Sequence, residues 1–217
     1  MPILNTLPAY PPLLRWVARG SLGRATGLML VWAAALGASA TLLSWLEPDR
    51  TARLFLNADP YRREMFAWVL TGEGRESRLA EFLPQHAGHA ALFCGLSLAS
   101  GSLLSMPLGA ALMNYMGHYV GALAAESASP WRTLLLAWPP WAVVRIASFV
   151  TLGVVLAQPL LSLAARPVDA TTRRAIRFAH SSRRLVLFAF AGLLLDVVLK
   201  WLLAPEWQPL LRRAVGW

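Results

Sequence analysis

Between Glu81 and Glu126 the chain runs through 44 residues without a formally charged side chain. One helix needs about 20 residues to cross a bilayer core of about 30 Å, so this stretch is long enough to cross twice. Ser105-Met106-Pro107 interrupts it near the middle, and a proline there is best placed in a first helical turn. The spacing predicts two helices joined by a tight turn, spans 2 and 3, over 88–104 and 108–125. A second uncharged run, 25–46, lies between Arg24 and Glu47 and predicts span 1. The stretch 133–165 carries one charge, Arg145, and is broken by Pro139-Pro140. It predicts a short outer segment over 131–138 and span 4 over 140–163. Span 5 is expected over 185–204, with Asp196 and Lys200 inside it.

The expected fold is therefore all-α, a polytopic transmembrane helix bundle of about five spans. Six would result if 131–138 formed part of a re-entrant hairpin. Composition agrees: 57% of the 217 residues are hydrophobic and 14% charged, against about 25% charged in an average soluble domain. That excludes an ordinary soluble enzyme and a disordered chain alike. Ala38-Ser39-Ala40 looks like a signal-peptidase site, but the apolar run continues to Leu46, so an uncleaved anchor is expected.

The longest stretch between spans, 47–86, is expected to be a small helical loop outside the cell. Asp59-Pro60 reads as a helix start, with Asp59 as N-cap ahead of 61–70, and a second short helix is expected over 76–83. The net charge of +9 comes largely from arginines beside spans. Arg15, Arg19 and Arg24 precede span 1, and six arginines fall in the basic loop 166–184. The positive-inside rule makes both regions cytoplasmic. Nine arginines then lie inside and nine outside, so the density of the 166–184 loop sets the orientation. The N-terminal segment 1–24 is expected in the cytoplasm and an interfacial segment, 205–217, outside. Arginines so placed mark topology and contact anionic lipid. No basic soluble module is present for nucleic acid.

Ionisable groups within spans are costly and are the functional candidates. Asp196 and Lys200 stand i,i+4 on one helix face. They read either as a self-neutralising pair with Lys200 snorkelling outward, or as an inter-helix contact or ion site through Asp196. Arg145 near the outer end of span 4 reads as snorkelling or as a partner of Asp196. Asn114 and His118, i,i+4 on span 3, read as hydrogen-bonding groups between helices. His86, His89 and His118, with Cys94, Met113 and Met116, would be the donors of a soft-metal site, but no second motif supports one and no cofactor is expected. Gly95/Ala99, Ser97/Gly101 and Gly117/Gly121 are small-xxx-small pairs, expected to pack spans 2 and 3 closely. Walker, Gly-x-Ser-x-Gly, His-Glu-x-x-His and dinucleotide motifs are all missing, so no enzyme is expected.

The segment order resembles the stage II sporulation protein M-like family of bacterial integral membrane proteins. The resemblance rests on His86-Ala87-Gly88-His89-Ala90-Ala91-Leu92, on Leu108–Gly117 with its Asn114, and on Asp196 ahead of Ala204-Pro205. It covers roughly 25–206. Where the family often carries a His-Gly and a Glu, this chain reads Pro139-Pro140-Trp141 through Arg145. The resemblance implies a non-enzymatic inner-membrane scaffold or complex subunit, which recruits other membrane or envelope proteins in cell-envelope remodelling; a homo-oligomer is a separate option for its partners. The residues alone leave open a small transporter or channel subunit, with Asn114, His118, Arg145 and Asp196 along a polar path, and, as a third reading, a membrane enzyme using His86, His89 and His118 around a metal.

Overall fold

A computed structural model describes residues 12–18, 21–54, 58–74, 77–164 and 182–217. Among these, all regular structure is helical: α1 (Pro12–Ala18), α2 (Leu22–Leu46), α3 (Pro48–Leu54), α4 (Ala58–Thr71), α5 (Leu79–Ser100), α6 (Ser105–Ala125), α7 (Pro130–Leu136), α8 (Pro140–Ala164) and α9 (Arg183–Val215). Most of the basic 166–184 loop and the first eleven residues lie outside the described residues.

Three of these helices, α2, α8 and α9, are long and apolar enough to cross a membrane, which makes the chain compatible with a membrane protein. Helices α5 and α6 have 22 and 21 residues, enough to span by length. They are less apolar because Gln85, His86 and His89 fall on α5, and Asn114 and His118 on α6.

The helix ends gather into two groups. At one end, Val17 of α1, Leu22 and Ala25 of α2, and Val154, Val155 and Ala157 of α8 form one apolar cluster. The α5–α6 turn joins them there, with Gly101 beside Leu160 and Leu161. At the other end, Met65, Trp68 and Val69 of α4 pack with Tyr119 and Leu123 of α6, Trp141 of α8, and Leu211 and Val215 of α9. Helix α8 runs through the middle: 44% of its apolar stretch is buried, against 22% for α2 and α9.

The connection between α5 and α6 is a four-residue turn, but its break lies earlier than the proline suggests. Gly101 stops α5 in the left-handed conformation at φ 59°, where a side chain would be strained. The amide of Ser102 then bonds back to the Ser97 carbonyl at 3.0 Å, closing the helix end in a Schellman pattern. Ser102 also takes a positive φ and donates its hydroxyl to the Gly153 carbonyl of α8. Pro107 sits in the first turn of α6, as expected.

Other expectations change. The short helix expected over 76–83 and the span from 88 are one helix, α5, which runs through Pro84. Pro84 is the sixth residue of that helix, past the first turn, so it gives up the bond to the Ala80 carbonyl and crowds that group. Helix α4 begins at Ala58, so Asp59 lies inside the helix rather than capping it, while Pro60 does fall in the first turn. Helix α9 continues beyond 204 through Pro205 and Pro209 to Val215.

The small residues of α6 also serve a different neighbour. A side chain at Gly117 would meet Ala40 of α2, and one at Gly121 would run into the Thr41 carbonyl and Ser44. Gly117/Gly121 therefore seats α6 against α2, not against α5. Around Gly95 of α5 there is nothing within 4 Å.

Candidate functional site

Three helices each bring a pair of side chains at i,i+4 spacing, one face of one helix, to a common point. Helix α5 supplies Phe82 and His86, α8 supplies Arg145 and Phe149, and α9 supplies Asp196 and Lys200. Asp196 is fully buried, and Lys200 and His86 are nearly so.

The Arg145 guanidinium grips the Asp196 carboxylate with two hydrogen bonds. Nε donates to Oδ2 at 2.8 Å and Nη2 to Oδ1 at 2.9 Å. This is the bidentate geometry in which arginine binds a carboxylate most strongly. His86 Nε2 stands 3.4 Å from the same Oδ2. The Lys200 ammonium lies 3.3 Å from the centre of the Phe82 ring, and the Arg145 guanidinium 5.1 Å from it. His86 stacks on Phe82 with ring centres 5.1 Å apart and meets Phe149 edge-on. An aromatic face attracts a desolvated cation by about 2 kcal/mol, so Phe82 is a ligand for the positive charge and not mere filling.

The five sequence candidates thus divide. Arg145, Asp196 and Lys200 come together, and the inter-helix reading of Asp196 is the one realised. Lys200 does not snorkel; its side chain is 3% exposed. His118 belongs to a second buried group. Its Nδ1 lies 3.0 Å from the Ser44 hydroxyl of α2 and 3.5 Å from Thr51 of α3, while Thr51 donates to the Glu47 and Pro48 carbonyls. Asn114 is half-buried on α6 and makes no side-chain hydrogen bond among the described residues.

Sequence reasoning missed Phe82 and Phe149 altogether and gave His86 a different role. His86 was visible only as a metal donor beside His89 and His118, and the fold sends His86 and His118 to separate groups. Among the described residues no three metal-binding side chains gather. The i,i+4 spacing of Phe82 and His86 was the available signal, but periodicity cannot say which other helix a face meets.

Toward the α4 end, Arg145 also borders a cavity of about 20 Å³, room for roughly one water. Tyr61, Trp68, Met116, Tyr119, Trp141 and Trp207 line it. Chemically, the cluster is a crosslink: both Asp196 oxygens are held by the Arg145 guanidinium, which ties α9 to α8. No protein-family model, no curated protein and no solved structure matches this chain.

Proposed function

We propose that the chain is a non-enzymatic integral protein of the bacterial inner membrane, a scaffold or subunit of a membrane complex. In this reading α2, α5, α6, α8 and α9 are its five spans. The sorting of helix ends into two groups supports five crossings of alternating direction. The arginine-rich regions put the end bearing α1 in the cytoplasm and the end bearing α3, α4 and the C-terminus outside. By rise per residue, Asp196 then lies about 16 Å from Leu185, near the midplane of a 30 Å core.

The observation that carries the subunit reading is the outward face of α5. Ala87, Ala91, Gly95 and Ala99 recur every fourth residue, and all four are exposed. A side chain added at Gly88 or Gly95 would meet nothing within 4 Å. Such a ridge lets another helix approach closely, and it lies on a helix whose Gln85 and His89 make it a poor companion for lipid. The other face of α5 is held by the charge cluster, so the ridge is presented on a fixed base. The resemblance to the stage II sporulation protein M-like family points the same way, toward partners of the membrane or envelope.

Gentle detergent extraction should recover the protein with constant companions, lost when Gly95 is replaced by Leu. Repeated recovery as a lone species, indifferent to Gly95→Leu, would contradict the reading. The transporter alternative has its own support in a titratable histidine and a carboxylate at the midplane. Transport of any solute through this cluster should fall with Asp196→Asn in proteoliposomes; unchanged flux removes Asp196 from such a path.

A further inference from the structure

The segment between α6 and α8 is short of a full span, yet its structure is that of a chain built for lipid. Helix α7 turns one face inward. Thr133 is fully buried and shares a 2.7 Å hydrogen bond with Ser127, whose hydroxyl reaches the Ala214 carbonyl of α9. The opposite face presents Trp131 and Leu135, i,i+4 neighbours that are 75% and 77% exposed. These are among the most exposed large apolar side chains in the protein.

Two observations place that face at the depth of the bilayer. First, Trp131 meets Trp45 edge-on with ring centres 5.2 Å apart. Trp45 belongs to the uncharged run of α2, which ends at Leu46. Seven residues further on, the Trp138 ring lies against Gly37 of α2. Gly37 is about 13 Å below Leu46 along that helix. The segment therefore descends beside α2 within the part of α2 that is free of charge. Second, the backbone on both sides of the break between α7 and α8 is tied within the protein. The Leu136 carbonyl accepts the Trp207 indole N–H at 2.7 Å, the Ala137 amide bonds to the Thr133 carbonyl, and the Pro139 carbonyl receives the Ala142 amide. Ala137 and Pro139 are buried. Irregular backbone at membrane depth is tolerated where it is buried in protein and its polar groups find partners there, and the Trp207 indole supplies such a partner from α9.

We infer that α7 is immersed in the outer part of the bilayer, so that α7 and α8 form one broken membrane segment with Trp131 and Leu135 packed against phospholipid. Trp131 and Trp45 lie at the headgroup boundary that tryptophan favours. Leu135, one turn deeper, meets acyl chains. Arg132 is exposed beside them and reaches back to the phosphates. The inference rests on the proposal that the bundle spans a membrane.

Cys94 is the chain's sole cysteine, so a Cys94→Ser background accepts single reporter cysteines. An environment-sensitive fluorophore is attached at position 131, 135, 194 or 53 in turn. Each protein is reconstituted in phosphatidylcholine vesicles with brominated acyl chains, and an aqueous iodide quencher is applied separately. Leu194 is 67% exposed in the middle of α9 and reports the span itself; Arg53 of α3 reports water. The expected result is loss of intensity to brominated lipid at 194, 135 and 131, deepest at 194, with iodide effective only at 53. Bromine quenching at 194 but not at 131 and 135, with iodide reaching both, would overturn the immersion of α7 and leave the membrane reading intact. No bromine quenching at 194 would overturn both.

Discussion

Asp196 shows what a single buried charge costs and what it secures. Removing one partner of a buried ion pair leaves the other uncompensated, at about 3–5 kcal/mol. Arg145 retains 26% side-chain exposure, which puts the expected loss at the lower end, about 3 kcal/mol. Asp196→Asn or Arg145→Met should each lower thermal stability in detergent by about that amount. The double variant Arg145→Met with Asp196→Leu should lose less than the sum of the two single losses, because neither member of the pair is left facing a missing partner, although the buried Lys200 ammonium stays against Phe82. A double variant as unstable as the sum of the singles would show that the two residues act independently. Asp196 and Arg145 were legible in the sequence because charge within an apolar run is conspicuous. Phe82 and Phe149 were not, and His86 only as a metal donor, since their role depends on which faces of α5 and α8 meet α9, a tertiary fact that no spacing encodes.

At the scale of elements, the contrast between two glycine positions separates close packing from open surface. A methyl group at Gly121 has no room against the α2 backbone, so Gly121→Ala should destabilise by about 1–3 kcal/mol. Gly95→Ala, with nothing near it, should leave thermal stability within about 0.5 kcal/mol or raise it slightly, alanine being the better helix former. Equal effects of the two in parallel thermal melts would contradict the packing of α6 on α2. The existence of the long helices was legible from uncharged runs and from Pro107. Their pairing was not: Gly117/Gly121 and Gly95/Ala99 carry the same spacing, yet one pair is buried against a neighbour and the other faces outward. The fusion of two expected pieces into α5 was hidden by Pro84, whose cost depends on how near the helix start it falls.

For the molecule as a whole, composition and three long apolar helices are compatible with a membrane protein, and the proposed direction across the bilayer comes from the arginines, but neither says how many helices cross. Three helices meet the demand on length and apolarity unaided. Helices α5 and α6 carry two of their polar residues into buried groups, His86 with Asp196 and His118 with Ser44, which in the proposed five-span reading is how a helix of modest hydropathy is held inside a membrane. The account therefore stands or falls on whether the α5–α6 turn lies on the opposite side from α3. Leu103 in that turn is 71% exposed, and Arg53 of α3 is exposed as well. In a Cys94→Ser background, single cysteines at these two positions are treated in intact spheroplasts with a membrane-impermeant maleimide, before and after permeabilisation. Five crossings predict labelling of position 53 at once and of position 103 only after permeabilisation. Labelling of both positions from the same side would contradict them.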